Sequence, residues 1–297
     1  MGWLSDIAQL RHAAEQSAVT LPALMSKAED IAISILHGEH ALRKSGAGEK
    51  FWQFREYQTS DRPQDIDWRQ SAKTDHVFIK EKEWQAHQKT FLWCASGRSM
   101  DFSSFSKDDT KQTDAQIITL ALALLLRKAE EHIGIYGDLK TGRSEETLRK
   151  IGQFLLDKTH TDEELPPPAH FALPRHSAFI GIGDFLSPID QIKASLSPIA
   201  NATEHALIVQ VLDPAEIELP YSGRVKFEGL TDAQSHTINN VPSIRKDYSN
   251  QINAHINAVQ SMCQDLNWHY VLHTTDRDIS DTLKDIIAMA SYERTAS

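Results

Sequence analysis

Up to about residue 42, apolar positions recur at helical spacing: Leu4, Ile7 and Leu10 in one stretch, Ile31 and Ile35 in another. The pattern predicts two helices separated at Leu21-Pro22. The glycines of "KSGAGEKF" end it, and Phe51 to Tyr57 reads as extended. Asp61, Arg62 and Pro63 predict a turn. "HVFIKEKEW" then predicts a strand and "TFLWCAS" a more deeply buried one.

From there, short apolar runs alternate with helical patterns. Strands are predicted near Phe91–Ala95 and at "IGIYGD", "AFIGIGD", "ALIVQVLD" and "HYVLHTTD". Helices are predicted from Thr113, from Ser144, from Ser187, across Ile244–Leu266 and at the carboxyl end. Such alternation predicts an α/β fold, a mainly parallel sheet with helices on both faces. Thr113 with Gln116 has capping-box spacing, and Ser187 before Pro188 places a cap and a proline at a helix start. Ile117 to Leu126 is apolar on every side, which predicts a buried helix. "GRVKFEGL" breaks the alternation and reads as an added strand or hairpin. "ELPPPAH" reads as a short rigid connector.

Composition narrows the function classes. The chain has 297 residues, 40% hydrophobic and 24% charged, enough for a full core. Its formal net charge of −10 argues against a nucleic-acid-coating surface, which needs concentrated Lys and Arg. The two cysteines, Cys94 and Cys263, lack metal-ligand spacing, and Cys94 sits inside an apolar strand, where a thiol is inert core. "MGWLSDIAQLRHAAEQ" lacks the pattern of a secretory leader, and position six holds Asp6 rather than the Ser or Thr of a myristoylation signal. The longest apolar run falls short of the roughly 20 residues that span a bilayer. The expectation is a cytoplasmic protein that does not span a membrane.

Candidate chemistry gathers in two places. Several strands end on polar residues: Ser96 to Ser99 after the first of the alternating series, then Asp138, Asp184, Asp213 and Asp276. In an open parallel sheet the carboxyl ends of the strands border the crevice where ligands bind. Such aspartates also cap helices and close turns. The second place is "FWQFREYQTSDRPQDIDWRQSAK". Asp61, Asp65 and Asp67 could hold a metal for phosphodiester hydrolysis, with Lys73 or Lys80 positioning a phosphate. Against this, Asp65 and Asp67 flank Ile66 and point to opposite faces of an extended segment. The structural alternative pairs Arg55, Asp67 and Arg69 in charge-assisted bonds, with Tyr57 and Trp68 supplying buried area. "GAGEK" lacks the ending of a phosphate-binding loop. His37 and His40 have no evident third metal ligand.

The second stretch, followed by a buried strand ending in "SGRSM", resembles the signature of the bacterial domain-of-unknown-function-58 family. The likeness rests on Arg55, Tyr57, Asp61, Ile66, Asp67, Trp68, Arg69, Ser71 and Ala72, while Ser60, Gln64 and Lys73 depart from the pattern. The resemblance implies a von Willebrand factor A-like, Rossmann-like domain over residues 86–297. Residues 1–85, the amino-terminal helices and signature segment, would form an extension packed on it. Domains of that type often bind a divalent ion through Asp-x-Ser-x-Ser after the first strand. Here the matching positions read Ala95-Ser96-Gly97-Arg98-Ser99, so the carboxylate and the first serine are missing. With Asp184 as the distant acidic group, the site reads as degenerate, and no metal or cofactor is expected.

The resemblance implies a non-enzymatic interaction or adaptor protein partnered with a MoxR-type AAA+ ATPase in a chaperone-like assembly. The edge carrying Ser96, Arg98, Ser99, Asp138 and Asp184 is then the candidate contact, and Arg55, Tyr57, Asp61, Asp67, Trp68 and Arg69 are structural or docking residues. Two alternatives stay open: a metal-dependent hydrolase using aspartates of the signature segment or sheet edge, and a small-ligand binder at the crevice. The oligomeric state is left open.

Overall fold

A computed structural model describes residues 22–35, 51–56, 71, 73, 78–82, 89–105, 110–138, 140–157, 164–167, 173–175, 177–228 and 235–296. The chain divides into two compact units, residues 38–87 and the remainder. In the smaller unit, β1 (Phe51–Glu56) pairs antiparallel with β2 (Phe78–Lys82), and Arg55 lies opposite Ile79. Tyr57, Asp61, Asp67, Trp68 and Arg69, and with them most of the signature segment, lie outside the described residues. So do His37 and His40.

The larger unit is the expected α/β fold, a Rossmann-like open sheet of parallel strands. Its five strands are β3 (Lys89–Cys94), β4 (His132–Ile135), β5 (Ser177–Gly183), β6 (Thr203–Leu212) and β9 (His269–Thr274). They are all parallel and stand in the order β4-β3-β5-β6-β9. β3 and β5 read as unbroken apolar runs because both of their faces are covered. The connecting helices are α2 (Lys111–Lys128), α3 (Glu145–Leu156), α4 (Ile189–Ala200) and α6 (Val241–Asp265), with α7 (Ile279–Ala296) at the end. The helix over residues 22–35, α1, contributes Leu24, Ala28, Ala32 and Ile35 to the same core. Right-handed crossovers place α2, which leads toward β4, and α4, which leads the other way, on opposite faces.

α2 runs through the centre of its layer, and Ile117 to Leu124 are buried, as the apolar residues on every side of it predict; the Thr119 hydroxyl within the run donates to the Ala115 carbonyl. "GRVKFEGL" forms half of a hairpin: β7 (Val225–Glu228) pairs antiparallel with β8 (Ser235–Ile238). A one-turn helix, α5 (Pro214–Glu218), lies between β6 and this hairpin.

Two helix starts differ from the sequence reading. α2 begins at Lys111, and its cap is Thr110, whose hydroxyl accepts the Thr113 amide. Gln116 is no capping partner; its amide donates to the Leu155 carbonyl at the end of α3. α4 has Pro188 rather than Ser187 at its N-cap, and proline has no side-chain oxygen to accept an amide; the Ser187 hydroxyl donates to Glu164 instead.

Candidate functional site

The chain leaves β3 for β4 on one side and later returns to β5 on the other. That reversal is the topological switch point, the place between the carboxyl ends of β3 and β5 where an open sheet of this kind has its ligand crevice. The loop after β3, Ala95 to Phe105, borders it, as does Asp184 directly after β5. The loop enters through a 3-10 turn at Arg98–Asp101, with Met100 buried beneath it.

A lysine that the sequence reading passed over fills this place. Lys111, the first residue of α2, is fully buried, and its ammonium donates to Asp184 Oδ2 at 3.1 Å and to Glu216 Oε1 at 2.7 Å. Asp184 is buried as well, and the Glu216 side chain is 18% exposed. One cation thus faces two carboxylates in a dry setting. Burial raises the Glu216 carboxyl above its ordinary value, with the Lys111 ammonium pulling the other way and the Asp184 charge adding to the rise. Local capping positions Glu216: in Asp213-Pro214-Ala215-Glu216 the Asp213 side chain accepts the Ala215 amide while Glu216 Oε2 accepts the Asp213 amide.

Asp213 is the second hub. It is fully buried, and besides Ala215 it accepts the Ser104 amide at 2.8 Å, the Ser104 hydroxyl at 2.6 Å and the Thr275 hydroxyl at 3.2 Å. One carboxylate therefore ties the loops that follow β3, β6 and β9. Next to Ser104, the Phe105 ring stands 65% exposed. The first turn of α2 is pinned a second time, where Asp114 accepts from His273 of β9, whose other ring nitrogen bonds the Thr282 hydroxyl of α7.

The backbone after β5 is held just as closely. The Gln210 amide donates to the Asp184 carbonyl and in turn accepts the Tyr270 hydroxyl. His255 donates to the carbonyl of Phe185, a buried residue in left-handed conformation at φ 47°. Over the loop after β3 lies the connector segment 164–167, whose Pro166 and Pro167 carbonyls accept from Ser195 and Tyr136. A side chain at Gly97 would meet Glu164 Cγ at 2.8 Å, so the missing serine is replaced by a close approach of the connector.

The sequence-predicted edge residues are brought to one end of the sheet and take different parts. Asp184 joins the lysine cluster. Asp138 closes a turn by accepting the Lys140 amide, and Asp213 caps α5. Arg98 is exposed, Ser96 and Ser99 are partly covered, and the Ser99 hydroxyl oxygen is buried without a hydrogen-bond partner among the described residues. Burial pushes the Cys94 thiol up to about 12, as befits an inert core position.

These residues do not fit a divalent ion. Ala95 is fully buried and carries no ligand atom, Gly97 is crowded by Glu164, and Asp184 is already bonded to a cation. No cluster of three or more His, Cys, Asp or Glu with metal-binding geometry occurs among the described residues. No helix among them is long and apolar enough to cross a membrane.

A family described as a protein of unknown function, DUF58, matches residues 53–258. Uncharacterized proteins of Mycobacterium bovis and of two strains of Mycobacterium tuberculosis are 26% identical to the chain over 277 residues, which is 88% of this chain and 84% of theirs. No solved structure matches significantly.

Proposed function

The chain belongs to the DUF58 family, and from that premise we propose that it is a non-enzymatic adaptor that docks a MoxR-type AAA+ ATPase through the carboxyl edge of its sheet. The partner comes from the signature resemblance. The observation that carries the reading is that the acidic groups at the switch point are consumed internally: Asp184 and Glu216 by Lys111, Asp213 by four donors. A general base or a nucleophile needs a lone pair available to substrate. Here each of these carboxylates is already bonded to a group that holds a loop in place, and loops fixed on a rigid sheet are where binding residues usually sit.

Arg98 is the docking candidate on this edge. It is exposed, and a guanidinium carries five donors, so an intramolecular bond leaves others for an acidic group on a partner. The test is a titration of the ATPase against wild type, Arg98→Ala and Lys128→Ala, an exposed basic residue at the opposite edge of the sheet. Arg98→Ala should weaken binding by about 2 kcal/mol or more, and Lys128→Ala should change it little. Equal affinity for all three removes Arg98 from the interface, and no binding by the wild type removes the adaptor. The purified protein is expected to hydrolyse neither phosphodiesters nor nucleotides. It is proposed to act in the cytoplasm.

A further inference from the structure

A crevice that in a von Willebrand factor A-like sheet would suit a hydrated divalent ion instead contains a covalently attached monovalent one. Three observations support this. Lys111 is the only lysine or arginine among the fully buried side chains of the described residues. Its ammonium bridges carboxylates from two separate connections, the one after β5 and the one after β6, as a shared metal ion would. At Ala95 and Gly97, where the metal-binding pattern of such domains has a carboxylate and a hydroxyl, there is a packed methyl group and a glycine crowded by Glu164.

We propose that Lys111 is the resident cation of this crevice, a built-in replacement for a divalent ion, so that the carboxyl edge keeps one arrangement whether or not metal is supplied. The physical difference is one of control. A metal-filled edge loosens when the ion is withdrawn, because binding to the native state alone is what stabilises it. An ammonium fixed to α2 has no concentration dependence. Its loss leaves Asp184 and Glu216 facing one another across a dry gap, and two uncompensated carboxylates there repel. A small, hard divalent ion is the natural replacement for the missing charge, since it accepts carboxylate oxygens and brings its own water ligands. This inference does not depend on any protein partner, and its test uses none.

The experiment combines thermal unfolding with electron paramagnetic resonance of Mn²⁺ on the full chain. Wild type should leave the free Mn²⁺ signal undiminished and melt at the same temperature in Mn²⁺ and in EDTA. Lys111→Ala in EDTA should melt lower by roughly 5–10 °C. Millimolar Mn²⁺, but not sodium at equal ionic strength, should recover part of that loss, and Lys111→Ala/Asp184→Asn should show no recovery. Stoichiometric, saturable Mn²⁺ binding by wild type that Asp184→Asn abolishes would overturn the proposal, and it remains readable if Lys111→Ala fails to fold. So would a Lys111→Ala protein as stable in EDTA as wild type. A destabilised Lys111→Ala protein that Mn²⁺ does not recover would also overturn it, since the ammonium would then be an ordinary ion pair and no stand-in for metal.

Discussion

Gly97 shows how one position links the loop after β3 to a distant connector. Its backbone is extended and open to any residue, so the glycine is not needed for conformation. It is needed for room, because a Cβ there would approach Glu164 Cγ to 2.8 Å. Gly97→Ala should destabilise by about 1–3 kcal/mol, as overfilling a packed site does. Glu164→Ala should relieve most of that cost, and a double-mutant cycle by chemical denaturation measures the coupling. Additive effects would mean that the contact is not what restricts position 97. None of this was legible in "SGRSM" alone. The glycine could be seen as a lost ligand, whereas its replacement partner lies in a proline-rich stretch read as a mere connector. The Lys111 cluster was hidden for the same reason: its carboxylates are 73 and 105 positions away, and no local spacing marks the set. Only the Asp213-x-x-Glu216 capping box left a local signal, in "DPAEIE".

At the scale of elements, alternation carried most of the fold. Buried parallel strands must be apolar on both faces and need helical crossovers, so β3, β5 and β6 stand out as short apolar runs separated by segments of helical pattern. Helix starts were less legible because capping residues recur. Thr110 and Thr113 are both competent caps three positions apart, and tertiary packing chose the first, which sets Lys111 at the crevice. The start of α7 offers a test of local capping free of such competition. Asp278 accepts both the amide and the hydroxyl of Ser280, and these bonds hold its carboxyl below its ordinary value. A carboxyl lowered on folding stabilises the protein above its unfolded value and loses that contribution as pH falls through the folded one. Asp278→Ala should therefore cost about 1 kcal/mol at neutral pH. The gap from wild type should close as the pH is taken well below 3.8, the ordinary aspartate value. A gap that stays constant over that range would show that the charge plays no part.

At the scale of the whole molecule, the larger unit has two unlike edges. The amino edge is made of short turns such as 129–131, 201–202 and 266–268. The carboxyl edge carries the longer connections, several of them tied to Asp213 or to Lys111, with Arg98 and Phe105 facing outward. The sheet order could be anticipated only in outline, because which strand lies beside which is decided by packing between distant segments. The adaptor reading makes this asymmetry functional. It is tested most directly by hydrogen–deuterium exchange of the chain with and without a MoxR-type AAA+ ATPase at saturating concentration. The account predicts that new protection concentrates in 95–105, 138–142, 184–188, 213–219 and 275–278, while the amino-edge turns exchange as before. Protection confined to those turns, or an exchange pattern that the ATPase leaves unchanged, would contradict it.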